Sequence, residues 1–204
     1  MIFVPSRKRR SSLNRFFETS CPTLPGRVLI DDDDDSYEGM KLPEGWEFMV
    51  SGRTSSSKRL NEAYMIMPNE PFYGQIGDDY VCKPHGWDKM LAESCGFSKI
   101  SWGNDGRWGD RLCTSFFIGG ELVRMFDWLA HPDLEHLYVD SVWWMIAKGA
   151  GIGRYRADVE VTHINVKDQT YKERRCINDH NTFTFLRNEQ IGKLIDLASQ
   201  YNQS

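Results

Sequence analysis

The run GRVLIDDDDDSYEGM, residues 26–40, decides how this chain is read. Three apolar residues, Val28, Leu29 and Ile30, stop against five consecutive aspartates, Asp31 to Asp35. Five like charges in a row repel one another and, taken alone, read as a solvated acidic loop. A short β-branched apolar run ending in carboxylates is also how an open α/β sheet delivers acidic groups to its ligand-binding edge. Both readings apply here: the first aspartates are expected to line a pocket and the later ones to face solvent.

Working outward, the N-terminal half alternates short apolar runs with helical stretches. MIFVPS reads as a strand entering a loop at Pro5, and SSLNRFFETS as a helix capped by Ser11 or Ser12. RVLI is a second strand and WEFMVS a third, followed by SSKRLNEAYMIMP as a helix closed by Pro68. YGQIGDDYVC reads as a fourth strand that breaks at Gly77-Asp78-Asp79. Strand–helix alternation of this kind predicts a mostly parallel sheet flanked by helices. In the second half, GWDKMLAESCG is a short helix and SKISWGND a strand. TSFFIGGELVRMFDWLA is a strand, a turn at Gly119-Gly120 and an amphipathic helix with Leu122, Val123, Phe126 and Leu129 on one face. VDSVWWMIAKGAGIG is a helix ended by glycines, YRADVEVTHINV a strand, and NEQIGKLIDLASQY a C-terminal helix.

At 204 residues, with 40% hydrophobic and 26% charged residues and a net charge of −4, the chain reads as one soluble domain. The mild acidity gives no global attraction to nucleic acid or anionic membrane, so a nucleic-acid partner needs a local basic patch. No apolar span of about 18 residues occurs, so no membrane segment is expected. MIFVPSRKRR places its apolar residues before its basic ones, the wrong order for a signal peptide. The five cysteines are scattered without a CxxC pair, which fits reduced thiols in a cytoplasmic protein. If the gene is a phage gene, that is the host cytoplasm.

Two acidic strand ends at one edge of a parallel sheet are costly unless something positive lies between them. A divalent cation held by oxygens, Mg²⁺ or Mn²⁺, meets that need. The loop PSRKRRSSLNR, which follows the first strand, carries Arg7, Lys8, Arg9 and Arg10 and is placed to meet a phosphate or nucleoside. No GxGxxG and no GxxxxGK[ST] is present, which argues against dinucleotide enzymes and P-loop ATPases. Downstream, Asp140 stands beside a tryptophan-rich helix and His163 at the end of a late strand. Alone, the first reads as a helix cap and the second as a structural histidine.

In this order the pieces resemble a small GT-A type, family-2-like glycosyltransferase of the short kind carried by bacteriophages, over roughly residues 2–175. FVPSRKR resembles the first strand and donor loop of that family, and VLIDDDDDSY the second strand with its base-contacting aspartate. YGQIGDDYVCKPHGWDKML is similar to the metal-motif strand, HLYVDSVWWMIAKGAG to the acidic motif near the acceptor, and VEVTHINV to the strand whose histidine completes the metal site. The metal motif is Gly77-Asp78-Asp79 here and not a literal DxD, and the acceptor-side acidic pair is reduced to Val139-Asp140.

The resemblance implies a single domain with a Rossmann-like, mostly parallel sheet: a donor half over about 1–82, an acceptor half over about 83–175 and a terminal helix over about 188–201. It implies donor binding by Pro5, Ser6, Arg7, Arg9, Asp31, Asp32, Arg59 and Asp78, with Arg10 as an alternative to Arg9. Asp79 and His163 would hold Mn²⁺ or Mg²⁺. Asp140 would be the catalytic base, and Trp102, Trp143 and Trp144 would stack on sugar or acceptor. The implied reaction moves a sugar from a nucleotide-sugar donor, foremost a UDP-sugar, to a hydroxyl on a glycan, a small molecule or a modified DNA base, with inversion.

Three rivals stay open. A phage enzyme acting on a hydroxymethylated base in DNA would need a basic groove beside Asp140, built from Arg154, Arg156, Lys172, Arg174 and Arg175. A non-catalytic nucleotide-binding module would keep the fold and lack the chemistry. A nucleotidyltransferase also uses paired aspartates and a metal, but no glycine-rich loop follows the first strand.

Overall fold

The computed structural model describes residues 1–164 and 177–202. Among them, eight strands form one sheet: β1 (Ile2–Pro5), β2 (Gly26–Asp31), β3 (Trp46–Ser51), β4 (Phe72–Gln75), β5 (Tyr80–Lys83), β6 (Ile100–Asn104), β7 (Phe116–Gly119) and β8 (Gly153–His163). Their order is β3-β2-β1-β4-β7-β6-β8-β5. The pairs β3–β2, β2–β1, β1–β4 and β6–β8 are parallel. β7 runs antiparallel to both β4 and β6, and β5 antiparallel to β8. The helices are α1 (Arg10–Ser20), α2 (Ser56–Ile66), α3 (Trp87–Cys95), α4 (Gly120–Phe126), α5 (Val139–Gly149), α6 (Ile177–Phe185) and α7 (Ile191–Ser199).

The central strands are apolar on both sides because helices cover both faces. Ile2, Val4, Val28 and Ile30 point to the face that carries Phe16 of α1 and Trp87 of α3. Phe3, Leu29 and Trp102 point to the opposite face, against Leu60 of α2 and Trp143 of α5. Each such side chain is worth roughly 1.5–3 kcal/mol when taken out of water. One sheet runs through both halves of the chain. No helix among the described residues is long and apolar enough to cross a membrane.

Four local expectations need correction. The segment YGQIGDDYVC is two strands: β4 lies in the middle of the sheet beside β1, whereas β5 forms its far edge. Asp78 and Asp79 therefore sit in the crossing between them, just past the end of β4. Helix α1 starts at Arg10 with Arg9 as its cap, because the Tyr37 hydroxyl takes the Arg9 N–H at 3.1 Å and no serine side chain caps it. Helix α4 stops at Phe126, where Asp127 turns left-handed with φ 60°, so Leu129 is buried by the chain beyond the helix. The C-terminal helix is two pieces, a π-helical turn over Leu186–Gln190 and then α7, and α6 before them was not anticipated.

Candidate active site

The loop Ser6–Arg9 ties the two acidic strand ends together. Its backbone is fixed first: Ser6 N donates to Leu29 O at 3.0 Å, and Lys8 N donates to Asp34 Oδ2 at 2.7 Å. Arg7 then pairs with Asp31, and with Asp33 at 2.7 Å. Arg9 turns the other way and meets Asp78 at 3.3 Å and Asp79 at 3.1 Å. Ser6 Oγ bridges the Tyr37 hydroxyl at 2.6 Å and Asp78 Oδ2 at 2.5 Å. On the outer side Arg59 pairs with Asp31 and donates to Ile30 O at 2.5 Å and Gly52 O at 2.8 Å, which staples the ends of β2 and β3 together. Pro5 ends β1 opposite Leu29.

The five aspartates divide by geometry and not by order. Asp31 and Asp34 are buried, while Asp32, Asp33 and Asp35 are exposed. Asp34 is buried because it caps the short turn Asp35–Tyr37, taking Ser36 N at 3.1 Å and Ser36 Oγ at 2.6 Å. A groove of about 320 Å³ opens beside Asp31, lined by Ile30, Asp32, Asp34, Tyr37, Phe48 and Val50. That volume is at the small end for a ligand pocket, and the lining includes neither Asp79 nor His163.

Asp79 and His163 meet because β5 runs back along β8 with Tyr80 opposite His163. The two rings stack at 4.6 Å with 5° between their planes, and Ile164 N donates to Asp79 O at 2.9 Å. His163 Nε2 then stands 3.1 Å from Asp79 Oδ2, with the imidazole 39% exposed. Gly77 makes room for this: a Cβ there would come within 2.9 Å of Asp79 Oδ1. Burial pushes Asp78 up to about 6, against the bonds from Ser6 and Arg9. Burial also acts on Asp79, but His163 and Arg9 outweigh it and hold that carboxyl below the usual range.

Asp140 lies in the first turn of α5, half-buried, after a left-handed Tyr138 with φ 68°. Ser141 N donates to its Oδ1 at 2.7 Å and Ser141 Oγ to the same oxygen at 3.3 Å. Burial lifts its pKa above the usual carboxylate range. Tyr80 links the two sides. Its hydroxyl, pushed well up by burial, donates to Thr114 O at 3.5 Å, and Cys113, next to Thr114 in the chain, donates Sγ–H to the backbone O of Asp140 at 3.1 Å.

The approach to Asp140 is fixed from the C-terminal segment. Asp179 of α6 is buried and accepts from three consecutive backbone N–H groups, Glu135 at 2.8 Å, His136 at 2.9 Å and Leu137 at 2.7 Å. Next to it Tyr138 stacks on Phe183 at 4.5 Å and bonds His180 Nδ1 at 3.1 Å. A carboxylate on three consecutive amides needs the chain to be folded around it, so Asp179 carried no signal in the sequence.

Two expected acceptor contacts are corrected. Trp102 is 1% exposed and Trp143 0% exposed. Each spends its indole N–H on a backbone carbonyl, Gly109 at 3.1 Å and Leu129 at 2.7 Å, so neither has a face for a ligand. Trp144 is half-buried, with Nε1 donating to Asp110 O at 2.9 Å. Arg10 also turns away, to Glu38 O at 2.9 Å. Of the basic groove considered for DNA, Arg156 pairs with Asp158 at 2.7 Å and reaches Met90 O of α3. That is the face opposite α5, because Tyr155, its neighbour on the strand, packs with Trp102 on the α5 side. Arg154 is exposed and donates to Gly153 O at 2.9 Å. Lys172, Arg174 and Arg175 lie outside the described residues.

Sequence reasoning also missed Tyr37, Asp34, Asp105 and Trp108. Asp34-Asp35-Ser36 is a legible capping pattern, hidden inside a run that invited reading as one charge block. No protein-family model and no curated protein matches the chain. Solved structures do. A mannosyltransferase from Pyrobaculum calidifontis, in complex with GDP-Man and Mn²⁺, aligns with TM-score 0.61 at 8% identity, over 98% of this chain and 72% of that one. The fold is GT-A. A glucosyl-3-phosphoglycerate synthase from Mycobacterium tuberculosis, in complex with Mg²⁺ and UDP, gives 0.57 at 13% identity over 91% of this chain and 77% of that one. S. aureus TarS gives 0.56 at 12% identity, and there the GT-A chain described here spans 37% of the other protein's length.

Proposed function

We propose that the protein is a metal-dependent glycosyltransferase that moves a sugar from a nucleotide-sugar donor to a hydroxyl acceptor with inversion. The observation that carries this reading is the meeting of Arg9, Asp79 and His163 beside Tyr80, whose hydroxyl reaches Thr114 O next to the Cys113 that bonds the backbone of Asp140. Two of the neighbours described above, the mannosyltransferase and the glucosyl-3-phosphoglycerate synthase, were solved with Mn²⁺ or Mg²⁺ beside GDP-Man or UDP.

A divalent cation fits the residues present. Ligands at adjacent corners of an octahedron with bonds of about 2.1 Å stand about 3 Å apart, and Asp79 Oδ2 and His163 Nε2 are already 3.1 Å apart. No group of three or more acidic, histidine or cysteine side chains among the described residues cages an ion unaided. Asp79 and His163 would therefore share the ion with donor phosphate oxygens, the usual arrangement for Mg²⁺. Bound there, the ion supplies positive charge against the diphosphate that leaves.

The chain's own residues account for the rest. Arg7 and Arg9, now held by carboxylates, offer charge-assisted bonds to the donor. The groove beside Asp31 takes the base, and its acidic rim accepts the ring N–H of a uracil. On the acceptor side Asp140, its basicity raised by burial, takes the hydroxyl proton. The acceptor oxygen forms its bond to the anomeric carbon as the bond from that carbon to the diphosphate breaks, with the electron pair leaving on the diphosphate. A single attack from the opposite face inverts the centre. UDP binding by calorimetry with and without Mn²⁺ tests the reading. Binding should tighten at least tenfold with Mn²⁺, and slow release of UDP from a UDP-sugar should follow. Equal affinity in EDTA, or no cleavage of any nucleotide sugar, points instead to a non-catalytic module.

A further inference from the structure

The loop between β6 and β7 carries a feature that the proposed chemistry leaves unused. Asp105 Oδ1 accepts the backbone N–H groups of Arg107 at 3.0 Å, Trp108 at 2.7 Å and Gly109 at 3.0 Å. Its other oxygen takes Thr114 Oγ1 at 3.3 Å. This staple presents Trp108 to solvent, 41% exposed. Two guanidinium groups lie over the indole, Arg107 at 5.3 Å and Arg111 at 5.7 Å from the ring centre. Arg111 is held in direction by Trp108 O at 3.3 Å and Arg107 O at 3.1 Å. Among the described residues neither arginine forms an ion pair. Asp105 is spent on backbone amides, and Asp110 pairs with Lys148 at 3.4 Å.

The loop sits on the acceptor side. Asp140, Trp144 and Lys148 are spaced by four residues and share one face of α5. Trp144 Nε1 donates to Asp110 O and Lys148 Nζ reaches Asp110 Oδ2, so that face abuts the loop. Trp144 is one turn from Asp140, about 6 Å along the axis. Two like charges gathered on one indole repel, and two exposed guanidiniums on one ring without a carboxylate partner suit an oxyanion.

We infer that Arg107, Trp108 and Arg111 bind a negatively charged group of the acceptor, a phosphate monoester or carboxylate within about one sugar ring of the reacting hydroxyl. Trp108 contributes its exposed edge to the sugar or polyol body, and the two arginines contribute the charge. A single pair of cations reads one anionic group, whereas duplex DNA needs a track of cations along its phosphates. The inference rests on the reading of Asp140 as the acceptor-side base.

The test uses the full chain with UDP and Mn²⁺ present. Glucose, mannose and glycerol are each titrated against their phosphate monoesters, with glucuronate as the carboxylate arm, by calorimetry and Trp fluorescence. At least one charged probe should bind ten- to a hundredfold tighter than its neutral parent. The Arg107→Ala/Arg111→Ala double variant should lose that preference while still binding UDP with Mn²⁺. Equal binding of charged and neutral probes, no binding of any charged probe at millimolar concentration, or a preference that survives in the double variant overturns the inference. So does salt-sensitive binding of duplex DNA through the same two arginines. Failure of the wild type to bind UDP with Mn²⁺ would instead strike the proposed function itself. Trp108→Phe, which keeps a ring for both cations, should retain most of the preference and so separates recognition from loss of the loop.

Discussion

The two sides of Tyr80 are built on opposite principles. On the donor side nearly every charge is already answered. Arg7 sits between Asp31 and Asp33, Arg9 between Asp78 and Asp79, and Arg59 against Asp31. These groups are mostly buried, and they hang on strand ends, on the loop before α1 and on the first turn of α2. On the acceptor side Asp140 is bonded by its own neighbour Ser141, and Arg107 and Arg111 rest on an exposed indole. The contrast teaches that a self-neutralised cluster can wait for a ligand of mixed charge, here a diphosphate with its cation, without strain from unpaired buried charge. An open pair of cations waits for an anion.

Substitutions break or sharpen this contrast. The largest effect is expected from Asp140→Asn, which should lower kcat by about 10²–10⁴-fold while UDP binding with Mn²⁺ stays within twofold, in steady-state transfer assays. Near-normal turnover would remove Asp140 from the mechanism. Next comes Arg9→Ala, which strands two adjacent buried carboxylates and should cost about 3–5 kcal/mol in urea unfolding at pH 7.5; a loss under 1 kcal/mol would show that the cluster is not self-neutralised. Asp179→Ala should cost about 2–4 kcal/mol, since three buried amides lose a charged acceptor, and it should lower kcat more than it raises the KM of the donor. A donor KM that moves as much as kcat would separate Asp179 from the placement of Asp140.

The pH dependence sharpens the same point. Asp78 is raised in the folded state, so folding binds its proton more tightly than the unfolded chain does. Its contribution is fully present below the unfolded value near 4 and declines as pH rises towards 6. Asp78→Asn should therefore flatten that decline and raise Tm at pH 7.5 by a few degrees, a gain of about 1–3 kcal/mol. No change in the slope between pH 4 and 6 would refute it. The smallest effect is expected from Trp108→Ala on the acceptor side, within about 0.5 kcal/mol in stability, because the exposed ring stands outside the core. A larger loss would mean that the loop is part of the core.

Much of the fold was legible because its signals are local. Alternating apolar runs and amphipathic stretches located the strands, apart from the separation of β5 from β4, and most helices, and Val28-Leu29-Ile30 marked the strand that carries Asp31. The boundaries that failed did so where distant groups intervened. Tyr37 set the start of α1 from 28 residues away, and β5 was split from β4 by pairing with β8 at the far edge. Trp102 and Trp143 misled for the same reason, since an indole serves a core and a sugar equally well until its neighbours are known.

By itself the sequence determined the alternation that makes an open sheet and the acidic ends of its strands, because both follow from periodicity and charge along the chain. Only the tertiary structure decided that Asp31 turns inward against Arg7 and Arg59, that Arg9 joins Asp78 to Asp79, and that His163 reaches Asp79 at the start of β5. It also set Asp179 on the loop before Asp140. Those are contacts between residues tens of positions apart, and no local propensity encodes them; they exist only once the sheet has brought its strand ends to one edge.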